Sequence, residues 1–192
     1  MAKRNQISLI LHSAAENGGY LDLDVLGKSN ALSKFLEIRE KECAKRQGVP
    51  KGQVIFRLVQ LSHSSPVTIV FEAYPKSEKL SPVLVCEDIE ATLNDIKQGK
   101  MKNLSNDTLS AANKFAKYES NKIRRAEFNI KIESRKTISK FALDQKFIGN
   151  LENSKQHLKP RKPGALAGKL WISPDFDKPI SLDEIFGSST KN

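Results

Sequence analysis

The sequence predicts an α+β fold: a small antiparallel sheet covered by helices, with an extended C-terminal tail. Three observations lead there. Apolar and polar residues alternate at 6–12 and again, more strictly, at 126–133. β-Branched and aromatic residues crowd 53–61 and 67–73 on either side of a turn-like Ser-His-Ser-Ser-Pro. Other segments carry apolar residues at helical spacing instead, and the order reads strand, helix, hairpin, helix, helix, strand, helix. That order favours helices packed on one face of an antiparallel sheet, with a mixed α/β arrangement as the alternative.

The first strand follows from Ile7, Leu9 and Leu11 on one side and Ser8, Ile10 and His12 on the other. Asn17-Gly18-Gly19 turns the chain. Leu21, Leu23 and Val25 either extend a short strand or lead into the first helix. That helix, at 29–46, places Leu32, Phe35, Leu36, Arg39 and Cys43 at one spacing, with Ser29 or Asn30 to cap it and Gly48 to end it. Glu40, Lys41, Glu42 and Lys45 are expected on its wet side. After the hairpin, Ser81-Pro82 opens a second helix, because proline at the first helical position gives up no hydrogen bond. Val85, Ile89, Leu93 and Ile96 form its stripe, and Gly99 ends it. A third helix at 107–120 buries Leu109, Ala112, Phe115 and Ala116. Phe128, Ile130 and Ile132 then alternate with Glu127, Asn129, Lys131 and Glu133, the pattern of a half-exposed antiparallel strand. A last helix is expected at 140–151, carrying Leu143, Phe147, Ile148 and Leu151.

Residues 1–153 are therefore read as one α+β body, large enough to bury its own core without metal or disulfide. The next stretch, 154–167, has two prolines, few apolar residues and no period, and is read as a basic Pro/Lys-rich linker. The remainder, 168–192, forms an aromatic and acidic tail. Only two cysteines occur, Cys43 and Cys86, far apart and outside any CxxC pair, which points to a reducing compartment and away from a zinc site. The N-terminal apolar run is too short for a signal sequence and no stretch is long enough to span a membrane, so a cytoplasmic location is expected.

The formal charge of +10 is unevenly spread. From 121 to 163, twelve Lys and Arg face four acids, whereas from 174 to 186 four acids face Lys178 alone. A basic back half with an acidic, aromatic tip marks an interaction tail. Lys122, Arg124, Arg125, Arg135, Lys136, Lys159, Arg161 and Lys162 are candidate phosphate contacts for a nucleic-acid partner, or else a solvated face that keeps the domain soluble. Tyr118 or Phe128 would be the stacking ring, although Phe128 belongs by period to the buried face of its strand.

No local pattern supports catalysis. His63-Ser64-Ser65 lacks the GxSxG elbow and fits a hairpin loop. Gly27-Lys28-Ser29 lacks the upstream glycine of a phosphate loop and fits a loop with a helix cap. His12, His63 and His157 are scattered and share no ligand spacing. The chain is thus expected to be non-enzymatic, with no cofactor and no metal of its own.

The tail is more specific. Trp171, Phe176, Ile180, Leu182, Ile185 and Phe186 are large apolar groups placed beyond a linker, and burying each is worth about 1.5–3 kcal/mol. Either the tail docks on its own domain, as an edge strand at 169–173 and a short helix at 182–186, or it orders on a partner.

The segment 163–180 reads Pro-Gly-Ala-Leu-Ala-Gly-Lys-Leu-Trp-Ile-Ser-Pro-Asp-Phe-Asp-Lys-Pro-Ile. It resembles the C-terminal tails of bacterial type II antitoxins that neutralise PIN-domain ribonuclease toxins, and the likeness covers about 163–187. In that family the tail crosses the toxin's acidic metal-binding cleft and blocks it. The resemblance implies that Trp171 and Phe176 are apolar anchors and that Asp175 and Asp177 pair with cations beside the cleft. It further implies that Pro179 turns the chain and that Lys169 or Arg161 meets the toxin's carboxylates; Ile180 stands where leucine is usual, and Phe186 is a further apolar candidate for the partner's surface. Pro174 replaces a common acid. The body does not look like the small DNA-binding module of such antitoxins and instead resembles uncharacterised bacterial proteins. A protein toxin is therefore the expected partner, nucleic acid the alternative, no membrane is implied, and self-association stays open.

Overall fold

The computed structural model describes residues 4–13, 25–62, 64–118 and 122–156, all within the first of two compact units, 1–158 and 159–192. In chain order the elements are β1 (Gln6–Ser13), α1 (Val25–Arg46), β2 (Val54–Leu61), β3 (Val67–Pro75), α2 (Pro82–Gln98), α3 (Asn106–Ala116), β4 (Ile123–Lys131), β5 (Ile138–Ala142) and α4 (Gln145–Gln156). The five strands form one sheet in the order β2-β3-β1-β4-β5, and every neighbouring pair is antiparallel. The fold is α+β, as its alternating strands predict.

The strand period divides the sheet into two unlike faces. Ile7, Leu9 and Leu11 of β1 lie opposite Phe71, Ile69 and Val67 of β3 and opposite Ile130, Phe128 and Ala126 of β4, and all are buried. These residues join one core with Leu32, Phe35 and Leu36 of α1, Ile89 and Leu93 of α2, Phe115 of α3 and Phe147 of α4. Phe35, Phe115 and Phe128 meet at its centre, with ring centroids 5.0 Å, 6.4 Å and 5.4 Å apart, tying two helices to the middle of the sheet. None of the residues on the opposite face belongs to this cluster, not even Val70, which is itself buried.

Caps define the helix ends. Ser81 accepts from the Val83 amide at the start of α2, and Gly99, at φ 74°, turns the chain out of it while its amide and that of Lys100 reach the Ile96 and Asp95 carbonyls. Asn150 of α4 donates to the Ile96 and Lys97 carbonyls, satisfying the same helix end from outside. Ser105 caps α3 through the Thr108 amide.

Five expectations need correction, the first being the start of α1, which begins at Val25 so that Ser29 is buried within the helix rather than capping it. The helix expected from residue 140 is instead a strand, β5, followed by α4, because Asp144 accepts from the Phe147 amide and starts the helix only there. The third helix stops at Ala116 rather than 120; Lys28 of α1 donates to the carbonyls of Lys114 and Phe115 and closes that end. Glu40 is not on the wet side: it is buried at 4% exposure and accepts from the amides of Gly52 and Gln53, pinning the turn into β2. α4 continues through Gln156, so the first three residues assigned to the linker are helical.

Candidate functional site

The tail residues Lys169, Trp171, Asp175, Phe176, Asp177, Pro179, Ile180 and Phe186, with Lys159, Arg161 and Lys162, lie outside the described residues. The remaining basic candidates are not gathered together. Lys122, Arg124 and Arg125 stand at the start of β4, and Arg135 and Lys136 in the turn after its far end. Eight strand steps, roughly 26 Å, separate the ends of that strand. Arg124 and Arg125 also diverge, because successive strand residues point to opposite faces: Arg124 lines a cleft against α4, while Arg125 pairs with Glu127 on the helix-free face. Arg135 is turned toward α2, 2.9 Å from Glu87 and 2.6 Å from Glu90, which hold its guanidinium firmly protonated. Phe128 is fully buried in the aromatic core and unavailable for stacking.

Among the described residues, two of the clefts that open lie on the helical side. One, of about 580 Å³, is lined by Met101, Leu104, Leu109, Asn150 and Asn153, with Asn150 already committed to the end of α2. The other, of about 510 Å³, gathers Tyr118, Arg124, Asp144 and Glu152. Asp144 is occupied as the α4 cap, and Glu152 lies 3.9 Å from Lys117. Burial, and then Asp144, push the Tyr118 hydroxyl up, so it is a donor rather than a base at neutral pH. Neither cleft sets a nucleophile beside a base. Among the described residues no group of three or more His, Cys, Asp or Glu is placed to hold a metal ion, and no helix is long and apolar enough to cross a membrane. Cys43 and Cys86 are both buried; burial pushes the Cys86 thiol up to about 12, far from the thiolate that reactivity needs.

Sequence reasoning missed a charged cluster between the helices. Arg39, 2% exposed, donates from Nε at 3.1 Å to Asp88 of α2 and from Nη1 at 3.2 Å to Thr108 of α3, and it also pairs with Glu42. Arg46 meets Asp88 from outside, and Ser105 bonds Glu42. Placing Arg39 among leucines at helical spacing was the only sequence signal. Every member is partnered, so the cluster ties α1, α2 and α3 together and leaves no group for a ligand.

The helix-free face of the sheet carries different chemistry. The register aligns Arg57, Glu72, Gln6 and Lys131 in one row across four strands, with Lys140 beside Asn129 in the adjacent row. Glu72 is buried at 5% exposure although no core helix residue covers it, because Tyr74, Gln6 (2.8 Å) and Arg4 (2.8 Å) all bond its carboxylate. Those bonds, led by the Tyr74 hydroxyl, hold the Glu72 carboxyl below its ordinary value and push the Tyr74 hydroxyl up. Arg57 of β2 is exposed and holds its guanidinium 5.1 Å from the centroid of the Tyr74 ring. Within the described paired strands the two acids on this face are paired with arginine, Glu72 with Arg4 and Glu127 with Arg125. Arg57, Lys131 and Lys140 are in no ion pair among the described residues.

No family model, curated protein or solved structure matches the chain.

Proposed function

We propose that this protein is an antitoxin-like inhibitor whose C-terminal segment neutralises a PIN-type ribonuclease by occluding its active site. The observation that carries the reading is the run from Pro163 to Ile180, where Trp171 is followed by Phe176 set between Asp175 and Asp177, after a basic linker. Large apolar side chains in a segment this polar gain most of their burial energy on another surface. The acids Asp175 and Asp177 add charge complementarity to cations at the rim of a nuclease cleft, and Lys169 complements the carboxylates within it. Inhibition of this kind is steric and electrostatic and requires no chemistry from the inhibitor. Attachment through both body and tail raises affinity through effective concentration.

The test is a ribonuclease assay with a PIN-type nuclease co-expressed with the full chain, with Trp171→Ala and Phe176→Ala together as the comparison. Loss of co-purification and at least tenfold weaker inhibition in the double variant is expected; undiminished inhibition removes the tail from the mechanism.

A second reading, a basic nucleic-acid-binding accessory protein, is supported by one specific observation: within the described paired strands the two acids of the helix-free sheet face are neutralised, leaving an excess of cations there.

A further inference from the structure

We infer that the helix-free face of the sheet is a binding platform for single-stranded nucleic acid, with Arg57 on Tyr74 as the base-stacking element and Lys131 and Lys140 as phosphate contacts. The inference deepens the nucleic-acid reading and rests on it, but it is independent of the tail.

Three features of the face select this occupant. The first is shape. Five antiparallel strands at about 4.8 Å spacing give a platform roughly 19 Å wide with no helix or ribbon rising from it among the described residues. A duplex is read by an element inserted in a groove, whereas unpaired bases lie flat on an open sheet. The second is charge. Arg4 and Arg125 are used on Glu72 and Glu127, so these carboxylates no longer repel an anion. Arg57 and Lys131 stand in the same row three strands apart, about 14 Å, with Lys140 one strand further on. Between them in the same row lie Glu72, whose charge is offset by Arg4, and the uncharged Gln6, with Ser8, Val70 and Asn129 beside it. A polyanion can therefore reach a cation at either side of the platform, with Gln6, Ser8 and Asn129 and the ion-paired Glu72 between them.

The third feature is the stacking pair. Tyr74 is fixed by its hydroxyl on Glu72, which is itself fixed by Gln6 and Arg4. Arg57 rests over that ring with its side chain exposed. A guanidinium held over a ring in this way presents a cation on which a base stacks, and less rotamer freedom is lost on binding because the ring already orders it. An acidic peptide would use the charge but not the plane, which separates the two occupants experimentally.

The experiment is fluorescence anisotropy of the full-length chain with a short labelled single-stranded RNA of mixed sequence, its DNA counterpart, the matching duplex, and an oligoglutamate peptide of similar charge. Single strands are expected to bind more tightly than the duplex or the peptide at low salt; preference for RNA over DNA identifies the natural ligand. Lys131→Ala with Lys140→Ala should reduce the slope of log affinity against log salt by about 1.4, that is about 0.7 per lost phosphate contact. Arg57→Lys preserves charge without the plane and should weaken binding about tenfold with the salt slope unchanged, whereas Tyr74→Phe, which keeps the ring but loses the hydroxyl bond that fixes it, should weaken binding by less than Arg57→Lys does. Circular dichroism confirms that each variant is folded. Absence of binding to any nucleic acid overturns both the nucleic-acid reading and this inference. Single-strand binding that is insensitive to Arg57, Lys131 and Lys140 but lost on Lys122→Ala with Lys136→Ala keeps the reading and overturns the platform. Duplex or oligoglutamate binding as tight as single-strand binding overturns it as well.

Discussion

Glu72 shows how one residue can set the character of a surface. A carboxylate in a sheet row of arginine, glutamine and lysine would ordinarily stay hydrated, yet here three side chains replace the water around it. Hydrogen bonds to the charged form lower its proton affinity in the folded state, the Tyr74 hydroxyl contributing most and Gln6 next. The sign of the pH effect follows. The unfolded carboxyl titrates near about 4.3 and the folded one lower, so folding at intermediate pH releases a proton. The stabilisation is complete above the unfolded value and is lost as pH falls through the folded value. Glu72→Gln should therefore show a shallower loss of stability on acidification below about pH 4.3 than the parent, and at neutral pH it should be about 1–2 kcal/mol less stable. Urea midpoints measured across the acid range check both. Parallel acid limbs for the two proteins would contradict the assignment.

At the scale of elements, the junction between β5 and α4 is the instructive case. The sequence from Lys140 to Leu151 places Leu143, Phe147, Ile148 and Leu151 at helical spacing, and a helix beginning at residue 140 satisfies that pattern. The structure starts α4 five residues later because Phe141 lies opposite Phe128 and faces the core from a strand. Leu143 then closes the ladder through its amide to Ala126, and Asp144 caps the helix. Strand and helix thus share one apolar run, which a single period cannot divide; the cap is what divides it. Asp144→Ala should cost about 1 kcal/mol in thermal or urea unfolding, with Asp144→Asn or Asp144→Ser costing less because either still offers an oxygen to the Phe147 amide. Equal losses in all three would mean that the cap is not what starts α4. By contrast, β1 and β4 were legible from alternation that matches the pleat, and the hairpin from its β-branched and aromatic runs on either side of a turn. The helix-free platform was not. Its cations come from β2, β4 and β5, and only pairing register brings Arg57 into line with Lys131. The sequence concentrates attention on a run of basic residues, and the fold then distributes that run over both faces and both ends of β4.

For the whole molecule, the core residues decide how much chain the body needs. The last buried apolar side chain of the cluster is Leu151, and α4 extends past it to Gln156, with the Ser154 hydroxyl donating to the Leu151 carbonyl at 2.6 Å. The four helices and five strands of the described residues precede Leu158, where the first compact unit ends. A chain of that size buries roughly two thirds of the surface its unfolded form exposes, enough for cooperative folding without a staple. A chain ended after Leu158 should accordingly unfold in a single transition, with coincident loss of far-UV ellipticity and of aromatic burial at Phe35, Phe115 and Phe128. Ending it after Asn153 instead removes the final turn of α4 and the bond that closes Leu151, and should lower stability by about 0.5–1.5 kcal/mol relative to the longer form. The comparison of the two urea midpoints locates the functional boundary of the body. Equal midpoints would place that boundary at Asn153 and make the last turn of α4 part of the segment that follows, whereas a non-cooperative transition in the longer form would show that residues beyond Leu158 are needed to complete the fold.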